Sequence, residues 1–123
     1  MKITLLADDR IRIEDGGGAM TVEAESAATT YSPFHMAASG LATCTFSVLA
    51  SWGANAGIGA NDLAIEVAWS FADRPRRVGS YRMILDWPSL PENRRRAAER
   101  AVEVCPIHAT LTHPPDISVE VAE

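Results

Sequence analysis

The sequence has little cysteine, no excess of positive charge and no long apolar run at its N-terminus. Two cysteines in 123 residues cannot form a disulfide framework, so we expect a domain that folds without bridges or metal. A formal net charge of -5 at pH 7 opposes binding to nucleic acid or to an anionic membrane surface. The apolar run in residues 1–7 stops at Asp8-Asp9. It is too short for a signal peptide or a membrane span, which predicts a cytoplasmic protein.

The composition itself is that of a globular protein, with 47% hydrophobic and 22% charged residues. A chain of this length is the usual size of one domain. Alternating apolar and polar residues predict strands, and apolar stretches with capping signals predict helices. We therefore expect one α+β domain over residues 1–123, with antiparallel sheets and two main helices. The predicted order is β-β-β-α-β-β-α-β, with strands at 2–7, 10–14, 20–25, 63–71, 78–87 and 117–121 and helices at 33–56 and 89–104.

The first predicted helix is Ala-rich and has no charged side chain between His35 and Asn55. Ser32-Pro33 supplies an N-cap and a proline suited to the first helical position. A helix that is apolar on all sides is expected to be buried on all sides. Its small residues would let a second copy of the same helix approach closely, which indicates a homodimer; they are Ala37, Ala38, Ser39, Gly40, Ala42 and Thr43.

The two cysteines lie in different local settings. Cys44 shares one helical stripe with Leu41 and Val48, and a cysteine on a buried helical face is usually an inert apolar residue. Cys105 precedes Pro106, where a helical turn at 107–111 begins with free N–H groups that favour a thiolate. A buried, inert cysteine at this junction between helices is the alternative.

Ser32-Pro33 before an Ala-rich helix, Cys44 within it, and the later segment from Cys105 to Leu111, CPIHATL, together resemble the OsmC/Ohr family of osmotically induced and organic-hydroperoxide-resistance proteins. The resemblance implies an intertwined homodimer and a peroxidase that reduces organic hydroperoxides in a stress response. It implies that Cys44 is the peroxidatic and Cys105 the resolving cysteine, in a redox-active disulfide. A small or lipoyl-type dithiol would be the external reductant, and no cofactor is expected. Phe34, Leu41 and Val48 are the expected pocket residues.

One position departs from the family pattern, which has an activating Glu directly after the helix-opening proline. Phe34 stands there. Arg10 and Arg12 are the local candidates for the family's activating arginine, and Glu23 or Glu25 could replace the missing carboxylate. The alternative function is therefore an OsmC-like dimer without efficient peroxidase activity, which binds a small apolar ligand or acts in another stress role.

The histidines and the basic cluster do not predict a second site. His35 precedes Cys44 by nine residues, which places it on the opposite side of the helix. His108 follows Cys105 by three residues, but two ligands do not make a metal site. A solvated helix face explains the basic cluster, and the tryptophans are expected in the core or in pocket walls; these residues are Arg94, Arg95, Arg96, Arg100, Trp52, Trp69 and Trp87.

Overall fold

The computed structural model describes the backbone of residues 2–7, 10–14 and 19–23 and the whole of residues 33–123. The chain divides into two compact units, residues 1–39 and 40–123. In the first unit, β1 (Lys2–Ala7), β2 (Arg10–Glu14) and β3 (Ala19–Glu23) form an antiparallel sheet with β2 in the middle. The three predicted strands are confirmed, the third slightly displaced. The predicted N-cap Ser32 and the candidate Glu25 lie outside the described residues.

Helix α1 (Pro33–Asn55) has the predicted bounds and is followed by Gly57, whose φ of +74° suits glycine best. Between residues 40 and 55 only every fourth residue is buried, and these residues are Leu41, Thr45, Leu49 and Gly53. The expectation that α1 is buried on all sides is therefore wrong within one chain. By length and composition α1 could also cross a membrane, but a core helix of a soluble domain has the same properties.

The second unit is built on a hairpin of β4 (Ala64–Ala72) and β5 (Arg77–Asp86), as predicted. Inward-facing residues alternate along both strands. The buried cluster joins α1, the hairpin and the next helix, and consists of Leu49, Leu63, Trp87, Ala98 and Val102. Trp87 also donates its indole N–H to the carbonyl of Gly59 at 2.9 Å, which ties the end of β5 to the loop after α1.

Leu49 provides a direct test of this core. Its side chain is fully buried, so Leu49→Ala should lower the free energy of unfolding by about 2–5 kcal/mol through lost apolar contact and a residual cavity. Ile84→Ala, at a position 41% exposed, should cost less than about 1 kcal/mol. Urea denaturation at one fixed protein concentration measures both values. Equal losses for the two variants would contradict this placement of the core.

The predicted helix at 89–104 is divided. A 3-10 turn (Glu92–Arg94) precedes α2 (Arg95–Val102), and α3 (Pro106–Thr112) follows. Ser89 and Glu92 have the spacing of a capping box, which predicts that Ser89 caps this helix. That prediction is wrong, because the Ser89 hydroxyl donates to Asp62 Oδ1 at 2.7 Å and not to the helix. This hydrogen bond lowers the pKa of Asp62. The short helical turn predicted at 107–111 is confirmed by α3.

The predicted last strand at residues 117–121 is not formed. An alternating segment becomes a strand only where another strand accepts its backbone hydrogen bonds, and no described strand pairs with it. Its apolar side chains are left in solvent, with Ile117 85%, Val119 87% and Val121 93% exposed. The alternating sequence therefore does not produce a strand in this single chain.

Candidate active site

The two cysteine sulfurs meet where α1 passes the N-terminus of α3. Cys44 lies in the middle of α1, and Cys105 is the N-cap residue of α3, directly before Pro106. Both are free thiols, and their side chains lie within hydrogen-bonding reach of each other. Cys44 is half-buried, whereas Cys105 is completely buried. The structure thus brings together the two cysteines that the sequence separates by 61 positions.

The surroundings of the two sulfurs are unequal. Burial raises the pKa of Cys105, but hydrogen bonds with the side chains of Cys44 and Thr45 and with the N–H groups of His108 and Ile107 outweigh it and lower that pKa overall. The hydrogen bond with Cys105 raises the pKa of Cys44, and the N–H of Ile107 offsets only part of this effect. The expected N–H groups near Cys105 are confirmed.

Thr45 is a site residue that the sequence reasoning missed. It is completely buried and is the only buried polar side chain, cysteine aside, in residues 33–123. Its Oγ1 donates a hydrogen bond to Met83 Sδ at 3.6 Å and lies within hydrogen-bonding reach of the Cys105 sulfur. A threonine in an Ala-rich helix is usually interpreted as a small packing residue without a functional role. Its spacing of four from Leu41 and from Leu49 was the available signal.

Cys44 opens onto an apolar cleft of about 800 Å³ between α1 and the α2–α3 region. Most of the wall is aliphatic or aromatic, and among the residues with described side chains, 33–123, Arg100 is the only charged one in it. The lining residues are Cys44, Ser47, Val48, Ser51, Trp52, Ala97, Arg100, Ala101, Val104 and Pro106. The cleft can therefore hold an apolar molecule beside a thiol. Arg100 was predicted to lie on a solvated helix face. It is exposed as predicted, and it also lines the wall of this cleft.

The three predicted pocket residues do not share one pocket. Leu41 is buried and lines a separate cavity of about 300 Å³ with Tyr81 and His108, while Val48 does line the cleft of Cys44. Phe34 is 41% exposed and belongs to the first unit. The backbones of Arg10 and Arg12 lie in β2, but their side chains fall outside the described residues, so their activating role stays a prediction.

The histidines contribute differently from the cysteines. His35 lies in the first unit. His108 is half-buried and serves Cys105 through its backbone N–H, not through its ring. In the part of the chain whose side chains are described, no three His, Cys, Asp or Glu residues are grouped as metal ligands would be. Among the described side chains, Cys44 and Cys105 are the two thiols of this site.

Comparison with known proteins gives two findings. A family model described as OsmC-like protein matches residues 26–120. A crystal structure from Psychrobacter arcticus 273-4, provisionally described as an osmotic stress induced and detoxification response protein, superposes with a TM-score of 0.73. It is 22% identical and covers 92% of this chain and 87% of its own, which at this identity shows the fold. No curated protein matches the sequence.

Proposed function

Because the chain belongs to the OsmC-like protein family, we propose that it is a thiol-dependent peroxidase that reduces organic hydroperoxides to alcohols. The observation that carries the proposal is the pair of free thiols, one at an apolar cleft and one buried behind it. Cys44 is the only cysteine that lines the cleft, which makes it the nucleophile. Cys105 is within hydrogen-bonding reach of it, which makes it the resolving thiol.

The reaction needs only these two residues and an external reductant. The Cys44 sulfur attacks the outer peroxide oxygen, the O–O bond breaks, and an alcohol leaves after proton uptake. Cys44 becomes a sulfenic acid, and Cys105 condenses with it to give a disulfide and water. A small or lipoyl-type dithiol then restores both thiols by exchange. No metal or organic cofactor takes part in this scheme.

The cleft supports a preference for bulky organic hydroperoxides over hydrogen peroxide. Its walls carry Val48, Trp52 and Val104, and burial of an aromatic or aliphatic group there is worth about 1.5–3 kcal/mol. With a dithiol as reductant, kcat/KM for cumene hydroperoxide should therefore exceed that for hydrogen peroxide by about 10–100-fold. Peroxide consumption by the wild-type protein is the measurement. If the wild-type protein consumes neither peroxide, the proposed function is refuted.

The second candidate is an OsmC-like dimer that binds a small apolar ligand without efficient turnover. Phe34, in place of the family's activating carboxylate, favours it. This function would be supported if the wild-type protein consumes no peroxide but binds an apolar fluorescent probe. The Val48→Asp substitution in the cleft wall should then abolish binding of the probe. The apolar cleft serves both candidates, so peroxide turnover separates them.

We further propose a homodimer in the cytoplasm, without nucleic acid or membrane partners. Support for the dimer comes from apolar side chains that one chain leaves in solvent, above all Ile117, Val119 and Val121. Val104, in the cleft wall, is 73% exposed as well. The net charge of -5 supports the absence of nucleic acid and membrane partners. One domain over residues 1–123 likewise stays a prediction.

A further inference from the structure

One face of α2 and of the turn after it forms a wall of the Cys44 cleft. The residues that this face contributes follow helical spacing and are Ala97, Arg100, Ala101 and Val104. Three of the four are small or aliphatic, like most of the remaining wall. Arg100 thus places a guanidinium where the neighbouring positions of the same face supply apolar side chains.

The guanidinium of Arg100 has no ion-pair or hydrogen-bond partner among residues 33–123. Two acidic residues lie near it in sequence. Glu99 borders cavities that do not contain Cys44, and Glu103 is not part of the cleft wall. An arginine side chain keeps its positive charge at every pH that a protein experiences. The cleft therefore presents one unpaired positive charge beside an apolar surface and a thiol.

We infer that Arg100 binds a carboxylate of the substrate, so that the cleft selects organic hydroperoxides with an apolar body and an anionic group. The inference rests on the proposed peroxidase function and narrows its class of substrate. A planar guanidinium can hold a carboxylate through two parallel hydrogen bonds. Val48 and Trp52, in the same wall, pack against the apolar body.

The charge of such a substrate acts differently at long and at short range. The chain has a net charge of -5, which repels an anion during its approach. Inside the cleft, an apolar ligand displaces water from the wall, and the attraction between carboxylate and guanidinium is then stronger than at an open surface. Arg100 is exposed in the free chain, so a carboxylate reaches it without rearrangement of the fold. Removal of Arg100 leaves only the repulsion.

The first test measures binding without peroxide, as protection of Cys44 from alkylation by iodoacetamide, followed by mass spectrometry. The probes are 4-isopropylbenzoate and its uncharged isostere 4-isopropylbenzamide. In the wild type, the benzoate should halve the alkylation rate at a concentration about 5–20-fold lower than the benzamide does, because only a carboxylate pairs with Arg100. Arg100→Gln should remove this difference. Arg100→Lys should keep part of it, since an ammonium retains the charge but not the paired hydrogen bonds.

Arg95→Gln is the matched control. It removes one positive charge from the same helix, at a position that lines a cavity with Trp87 and not the Cys44 cleft, and it should keep the preference for the benzoate. Equal protection by the two probes in the wild type, or an undiminished preference in Arg100→Gln, would overturn the inference. Failure of both probes to protect Cys44 would overturn it as well, because the cleft would then not bind this class of ligand.

The second test uses turnover, with cumene hydroperoxide and its para-carboxylate, which differ only in the anionic group. In the wild type, kcat/KM for the carboxylate should be higher by about 5–20-fold, and Arg100→Gln should abolish this advantage. The gain should appear in KM, because Arg100 contacts a group that takes no part in the chemistry. If neither peroxide is turned over but the benzoate still protects better, the peroxidase function is refuted, while carboxylate binding by Arg100 stands. Turnover without a preference for the carboxylate would refute this inference alone.

Discussion

Cys44→Ser should abolish organic hydroperoxide turnover, with a loss of at least about 100-fold, because a serine hydroxyl does not become a nucleophile under these conditions. Cys105→Ser should behave differently. Its Cys44 retains access to the cleft, so the protein should gain one oxygen atom per chain and then stop. Mass spectrometry after one equivalent of cumene hydroperoxide distinguishes the states: a Cys44–Cys105 disulfide in wild type, an added oxygen in Cys105→Ser, and no change in Cys44→Ser.

Thr110→Val is the matched control for both cysteine variants, since its hydroxyl lies in α3 but outside the cleft. It should form the disulfide as wild type does. A wild-type protein that acquires oxygen at Cys44 without ever forming the disulfide would show that Cys105 is not the resolving thiol. Oxidation of Cys105 in the Cys44→Ser protein would show that the order of attack is reversed.

Charges placed on the C-terminal segment should convert the proposed dimer to a monomer. Ile117, Val119 and Val121 are nearly fully exposed in one chain, and burial of each against a partner is worth about 1.5–3 kcal/mol. The triple substitution I117D/V119D/V121D removes this contribution and adds three repelling carboxylates. Light scattering after gel filtration should change from a two-chain mass for wild type to a one-chain mass for the variant.

Ser118→Asp is the control for this experiment, because it adds a carboxylate in the same segment at an alternating position. It should keep the two-chain mass. A dimer that persists in the triple variant would show that this segment does not form the interface. A wild-type protein that elutes with the mass of one chain would refute the homodimer itself.

Local sequence patterns predicted the elements whose partners lie nearby in the chain. The hairpin of β4 and β5 joins residues only a few positions apart at the turn, and Pro33 and Gly57 set the ends of α1 through backbone geometry alone. Elements that depend on distant partners were predicted less well. Ser89 matches the capping-box pattern, but Asp62, 27 residues earlier, competes for its hydroxyl.

In the candidate site, too, features set by local sequence were predicted and features set by distant partners were not. Family resemblance paired Cys44 with Cys105, and local chemistry predicted the N–H groups at the start of α3. Neither could predict the different surroundings of the two sulfurs, since these depend on how Thr45, Ile107 and His108 lie around Cys105 in three dimensions. Arg100 was missed because an arginine on the polar side of a helix gives no sign that the neighbouring turn borders a cleft.

The unequal burial of the two sulfurs also determines where oxidative damage accumulates. Cys105 has no exposed surface, so a peroxide molecule has no path to it while the fold is intact. Cys44 borders an open cleft, and its sulfenic acid meets a second peroxide there unless the disulfide closes first. Irreversible conversion to sulfinic acid is thus confined to one residue. The peroxide concentration that the protein survives is set by a race between disulfide closure and that second encounter.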